Sequence, residues 1–333
     1  MVPDEFEQEL TQLREDDFPI NRLAATIDFG QGETAAKLMV LQLVHGNRRH
    51  TDRWQRGRIN GYYCFSSHKN VSRMFQEIGS IFGGVQWYNS SAIHKDDVTY
   101  TFDNKSETIN EGVLFDPSVK ALYLNKPSGL RKSTSAELED IFGVEQYPVR
   151  TNGVKETLTP SASVGLVVEP RSGVWDDDKT LSRQLNIDNS LLGQTDFFYT
   201  DYNDDCSEST DEPVESTVAY LYVNEVQKLS PSITQGANKQ IVDEAERLSG
   251  KMNDIEDDEL NKILSLPYSN LRETLERFSL AYAKANWEDE VTQRHVCRAS
   301  NLIVETWKDM GVENIMSGFE FGVQTEQKVP NEN

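Results

Sequence analysis

The chain is poor in basic residues, in cysteine and in long apolar runs, and each shortage excludes something. Of 333 residues only 33 are Lys or Arg, against 55 Asp or Glu, a formal net charge of -22. A surface of that sign repels nucleic-acid phosphate, which argues against simple electrostatic binding to DNA or RNA. The three cysteines, Cys64, Cys206 and Cys297, are scattered and form no C-x-x-C pair, so neither a zinc site nor a disulfide framework is expected. No apolar run approaches ~18 residues, so no membrane span is expected. The acidic start, MVPDEFEQELTQLRED, lacks the apolar stretch of a secretory signal. No G-x-S-x-G nucleophile motif occurs. A reducing, cytoplasmic setting fits these absences. The acidity itself has two readings that stand side by side: adaptation to a salty cytoplasm, or ordinary acidic loops on a mesophilic protein.

What is present reads as a sheet followed by helices. Residues 4–20 read as a short helix with a solvated face, and Glu33 to Leu43 carries apolar residues at helical spacing. Lys120–Leu124 (KALYL) and Val164–Val168 (VGLVV) are short apolar runs bounded by turn residues, as buried parallel strands are. Ser133–Phe142 between them reads as a helix, and Phe197–Thr200 as an aromatic, β-branched strand. Alternation of this kind implies an α/β sheet. An acidic loop, Tyr202–Pro213, marks a boundary. Beyond it the pattern is wholly helical, over 214–229, 233–252, 270–286 and 292–308. There is no internal repeat.

The most informative window is Arg58–Phe75, RINGYYCFSSHKNVSRMF, which reads as strand, turn and helix start. A phosphate-binding loop at such a turn needs glycines, so that backbone N–H groups close on the anion, and a lysine for the terminal phosphates. Here the turn is FSSHKNVS, with no glycine.

In order and spacing several segments resemble the AAA+ motor of the minichromosome maintenance (MCM) replicative helicases. The resemblance runs from about Ile20 to Gly311. It rests on IDFGQGETAAKLMVLQLVHGNRR (27–49), RGRINGYYCF (56–65), LVVEPRSGVWDDDKTLSRQLNIDNSLLGQTDFFY (166–199) and LRETLERFSLAYAKANWEDEVTQRHVCRASNLI (271–303). It implies an α/β P-loop-type three-layer sheet with helices on both faces and an α-helical lid bundle. The corresponding division is a helical lead over 1–20, a core over 21–205, a lid over 214–311 and a flexible tail over 312–333. The family's N-terminal OB and zinc domain and its winged helix find no room in this sequence.

Carried over residue by residue, the resemblance places the family's nucleotide motifs on unsuitable side chains. Val71 stands for the phosphate-loop lysine, and only Ser72, the Mg²⁺-side hydroxyl, is kept. The two acids of the Walker B strand fall on Asn125 and Lys126. The sensor asparagine falls on Glu169 and the in-trans arginine finger on Gln194. The lid arginine is retained as Arg272, and Asp196 is retained with a structural role in view. Lys69 lies two positions early and reads as a solvated loop lysine. On the hairpin YPVRTNGVKETL the family's DNA-touching lysine falls on Thr151, leaving Arg150 and Lys155 as DNA contacts that are possible but not favoured. These losses, read as independent of one another, imply no ATP hydrolysis, no resident cofactor and no metal site.

Two functions follow as expectations. The first is a non-catalytic MCM-like protein that joins or binds an MCM ring or another replication protein, or self-associates. It would be cytoplasmic, and nucleoid-associated when bound to replication machinery. The alternative is a cryptic DNA-dependent ATPase with weak ATP and Mg²⁺ binding through Lys69, Ser72, Asp116 and Arg272. A third possibility is a decayed gene product.

Overall fold

The computed structural model describes residues 4–312 apart from 28, 46–48, 51–53, 56, 90–94, 128–129, 131, 145, 152 and 204–210. The expected tail beyond 312, His94, Cys206, the side chain of Trp54 and the middle of the acidic loop lie outside the described residues.

Three helices open the chain: α1 (Asp4–Glu15), α2 (Pro19–Thr26) and α3 (Glu33–Val44). Pro19 sits in the first turn of α2, where its missing N–H has no intrahelical partner to lose. A small ribbon, β1 (Arg49–His50) and β2 (Trp54–Gln55), leads to β3 (Gly61–Cys64). Then come α4 (Val71–Phe82), β4 (Val85–Asn89), α5 (Lys95–Val98) and a hairpin of β5 (Tyr100–Asp103) and β6 (Thr108–Glu111). They are followed by β7 (Ala121–Asn125), α6 (Lys132–Phe142) and the hairpin of β8 (Tyr147–Thr151) and β9 (Val154–Leu158). The α/β part ends with β10 (Ser163–Val168), α7 (Leu181–Gln184), α8 (Asn189–Leu192) and β11 (Phe197–Thr200).

The central sheet has five parallel strands in the order β11-β3-β10-β7-β4. All residues of β3, β10 and β11 are buried, and β7 is buried from Ala121 to Leu124. Strands covered on both faces carry such unbroken apolar runs, which is why they stand out in the sequence. β4 is an edge strand, half exposed, and its mixed lettering VQWYN gives no comparable signal. The chain runs from β3 to the far edge at β4 and returns through β7 and β10. It then crosses β3 to reach β11. The order therefore reverses beside β3, and in open α/β sheets the crevice at the carboxyl ends of the strands at such a switch point is where ligands bind.

The second half holds α9 (Ser216–Val226), β12 (Ser232–Ile233), α10 (Gln235–Met252), α11 (Asp258–Ser265), α12 (Leu271–Ala285), β13 (Glu290–Val291) and α13 (Gln293–Asp309). The wholly helical pattern expected there needs a correction, because β12 and β13 pair in parallel for two residues each. α11 also lacked a strong signal, since DELNKILS buries only Leu260 and Leu264. α12 packs against α3, and α13 against β11. Lys284 of α12 is fully buried, and its ammonium donates to the carbonyls of His45 and Gln227, at 3.0 and 3.1 Å. These are the C-caps of α3 and α9, where a cation meets unpaired carbonyls and the negative ends of two helix dipoles. Burial pushes the Lys284 ammonium down to about 8.

His295 is buried in the first turn of α13, and its Nδ1 accepts from the Thr292 N–H at 3.0 Å. That bond requires the neutral ring with its proton on Nε2, which faces Glu288 at 3.5 Å. Burial lowers the imidazole pKa to about 4; Glu288 works against the shift, while Arg294 and Arg298 work with it. The folded value lies below the ordinary 6.5, so on acidification the unfolded chain takes up the proton first. Stability is therefore lost as pH falls from 6.5 toward 4, by at most about 1.4 kcal/mol per unit. Urea unfolding at pH 7.5, 6.5 and 5.5 should show this slope. His295→Gln keeps an acceptor for Thr292 without titrating, so it should flatten the slope. Parallel slopes in both proteins would remove His295 as the cause.

Candidate functional site

The loop after β3 occupies the switch point. Phe65, at its first position, is fully buried, stacked on Tyr63 at 5.7 Å and tilted against Tyr199 at the same distance. The loop is then held by hydrogen bonds to β10 and the segment after it, and within itself. Phe65 N–H donates to Val168 O at 3.0 Å, Ser67 N–H to Gly173 O at 2.7 Å, Lys69 N–H to Ser66 O at 3.0 Å and Val71 N–H to Lys69 O at 2.9 Å. Ser66 N–H donates to the carboxylate of Asp201, just beyond β11. Asn70 caps α4 by accepting from the Arg73 N–H at 3.2 Å. α4 is held on the sheet by Phe75, whose ring stacks on Tyr123 at 3.9 Å and on Trp87 at 4.8 Å.

A cavity of about 320 Å³ lies against this loop. It is lined by residues 67–72, by Asn125 at the end of β7, and by Val167, Val168 and Glu169 at the end of β10. Val71, Ser72, Asn125 and Glu169 thus line one cavity. Lys126 joins them through its ion pair with Glu169, at 3.3 Å. Its backbone is left-handed, with φ 55°, and its N–H donates to Val167 O at 2.7 Å. The expectation of independent substitutions needs a correction here. Lys126 and Glu169 form one complementary pair across the ends of two adjacent strands, each balancing the charge that the other introduces. Both side chains are well exposed, so the pair adds little stability.

Lys69 also needs a correction. Rather than a solvated loop lysine, it is 18% exposed and stands 3.6 Å from the buried Asp201 carboxylate. Trp175 donates its indole N–H to the same carboxylate at 2.7 Å. The separation of residues 69, 175 and 201 along the chain carries no local pattern, so sequence reasoning missed this cluster. A second cavity, of about 220 Å³, adjoins the first and shares His68, Lys69 and Asn70 with it; Phe29 and Met74 also line it.

Other expected positions lie elsewhere. Asp116 accepts from Ser118 before β7, at the amino end of the sheet. The cavity is at the carboxyl end, beyond the length of β7. Arg272, on α12, is 55% exposed, faces Glu276 at 3.4 Å, and is absent from the cavity lining. Gln194 is half buried beside Gly143 at the end of α6. Asp196 is fully buried, accepts from the Asn60 N–H at 2.7 Å and pairs with Arg277 at 2.5 Å, so its role is structural. Arg150 and Lys155 face each other across the β8–β9 hairpin, both exposed, with Thr151 next to its tip. Tyr100 and Tyr147 bring the β5–β6 hairpin alongside, with ring centroids 6.3 Å apart. Among the described residues no cluster of His, Cys, Asp and Glu could hold a metal ion, and no helix is long and apolar enough to cross a membrane.

Comparison with curated proteins gives no match. Comparison with family models gives one over residues 7–222, well over half of the chain, to the MCM P-loop domain. The match reaches further toward the N-terminus than the resemblance read above, and it stops within α9, short of the helices that follow. The parallel five-stranded sheet, the loop at its switch point and this match agree: the chain belongs to the MCM family and carries its P-loop domain, a relative of the replicative helicases.

Proposed function

We propose that this chain is a non-catalytic MCM-family protein that acts by association. In this reading it joins or binds an MCM helicase ring, or a related replication protein, in the cytoplasm. The observation that carries the reading is the state of the phosphate loop. The N–H groups of Phe65, Ser66, Ser67, Lys69 and Val71 all donate to acceptors of the protein itself. A loop that cradles phosphate must turn such groups toward the ligand.

The residues around the cavity do not fit Mg²⁺ and a triphosphate. No acid stands at the end of β7, where Asn125 is neutral and Lys126 is cationic, and the nearby Glu169 carboxylate is already paired with that ammonium rather than left for a dication. Glu169 adds a carboxylate to the cavity lining, and Gln194 cannot supply the charge of an arginine finger, whose loss costs about 10³–10⁵ in rate. The packing is intact, by contrast: sheet, hairpins and helices are all formed. Retained architecture beside unsuited chemistry points to a surface as the working part. The cryptic ATPase reading draws on Asp116 and Arg272, and neither lines the cavity. A DNA contact through Arg150 and Lys155 is not favoured against a net charge of -22.

The test pairs two measurements. A nucleotide held at 100 times its Kd would add about 2.7 kcal/mol of stability; we expect no change in Tm with ATP and Mg²⁺, and hydrolysis at background. From the native host, the tagged chain should co-purify with an MCM helicase or another replication protein. Turnover above background that Ser72→Ala abolishes would refute the first half. A strictly monomeric chain that ignores the replication machinery would refute the second.

A further inference from the structure

The carboxylate of Asp201 is 3% exposed, and three donors of different kinds converge on it. The Ser66 N–H lies 3.0 and 3.1 Å from its two oxygens, the Trp175 indole N–H 2.7 Å from Oδ1, and the Lys69 ammonium 3.6 Å from Oδ2. A buried carboxylate is costly unless hydrogen-bonded and paired, and this one is both. A backbone N–H from a loop that opens a helix, together with a lysine, is also the donor set that an anion takes at a phosphate-binding turn.

We propose that Asp201 is a resident anion. It occupies the seat that a phosphate takes in such a loop, so that residues 65–71 hold their closed shape with no ligand bound. Lys69 is the counter-ion of that seat, its ammonium 3.6 Å from Asp201 at the margin of the cavity it helps to line. Phe65 is the floor, its buried ring 6.0 Å below the Lys69 ammonium. Ser67 closes the other side, donating to Gly173 two residues before Trp175. An anion seeking the Ser66 N–H and the Trp175 indole N–H finds both already donated to a carboxylate. The inference concerns the loop alone and stands whatever the chain associates with.

The test exchanges the built-in anion for a free one. Asp201→Ala removes the carboxylate and leaves Ser66 N–H, Trp175 and Lys69 in place. In chloride buffer this variant should lose several degrees of Tm. Inorganic phosphate at matched ionic strength should restore part of the loss in a saturable way. Wild type should show only the small, unsaturable rise that phosphate gives any protein by exclusion from its surface. Adding Lys69→Met to the variant should abolish the restoration. An Asp201→Ala protein as stable as wild type, or one whose phosphate response matches that of wild type, overturns the proposal. Where that variant does not fold, hydrogen exchange on wild type decides. The Ser66 amide, whose acceptor is Asp201, should be protected without ligand and unchanged by phosphate. A Ser66 amide that exchanges as an open loop, or that gains protection only with phosphate, overturns it equally.

Discussion

Replacing Arg277 with methionine is expected to lower the unfolding free energy by about 3–5 kcal/mol. Arg277 sits on α12 with 6% of its side chain exposed, and its guanidinium meets the wholly buried Asp196 at 2.5 Å, just ahead of β11. Removal of Arg277 strands the buried Asp196 carboxylate, and removal of Asp196 leaves Arg277 with only the partly exposed Glu273 at 3.3 Å; that penalty sets the size of the effect rather than the worth of the pair. Asp196→Ala should cost a comparable amount, because it also leaves the Asn60 N–H without its 2.7 Å acceptor. Changing both residues should cost clearly less than the two single changes added together. Urea midpoints at constant slope measure all three variants. Single changes that each cost less than 1 kcal/mol would show that the pair is solvated in solution. The pair ties the start of β11 to α12, which gives Asp196 a folding role.

Legibility in the sequence followed burial. KALYL and VGLVV were readable because strands covered on both faces need continuous apolar lettering, and they correspond to β7 and β10 within a residue. The helix over 33–43 was readable for the same reason, since α3 is buried almost all round. β4 was not, because an edge strand leaves Gln86 and Asn89 exposed and its lettering VQWYN resembles a loop. The β5–β6 hairpin escaped notice for a similar reason, with Thr108, Asn110 and Glu111 all exposed. In the site, positions that lie on one loop or at the ends of adjacent strands came together: Val71, Ser72, Asn125, Lys126 and Glu169. What could not be read was pairing between distant segments. Nothing near Lys69 announces Asp201, and nothing near Lys126 announces Glu169. The register of β10 beside β7, with Val167 opposite Asn125, creates the second pair, and the register of β11 beside β3 creates the first. Arg272 shows the converse: a residue type matched a motif, yet its helix carries it away from the cavity.

Gly61→Ala should be nearly as damaging as the loss of Arg277, at about 3 kcal/mol or more, from a single added methyl group. A Cβ at Gly61 would stand 1.9 Å from the Phe197 ring, far inside any van der Waals contact. That ring cannot easily give way. It is fully buried, edge-on to Tyr63 at 5.2 Å and to Phe278 of α12 at 6.1 Å. Displacing it disturbs β3, β11 and α12 together, and with β3 the loop that follows. Interiors packed to crystal density transmit such strain instead of absorbing it. The prediction carries its own control. Phe197→Leu removes much of the obstructing ring and by itself costs stability through the cavity that it leaves. Combined with Gly61→Ala, it should recover a substantial part of the loss, because the new methyl enters the vacated space. Thermal and urea unfolding of the two single variants and the double variant close the cycle. Simple additivity of the two losses would mean that the ring already moves freely in solution, and that β3 and β11 are not locked together at this glycine.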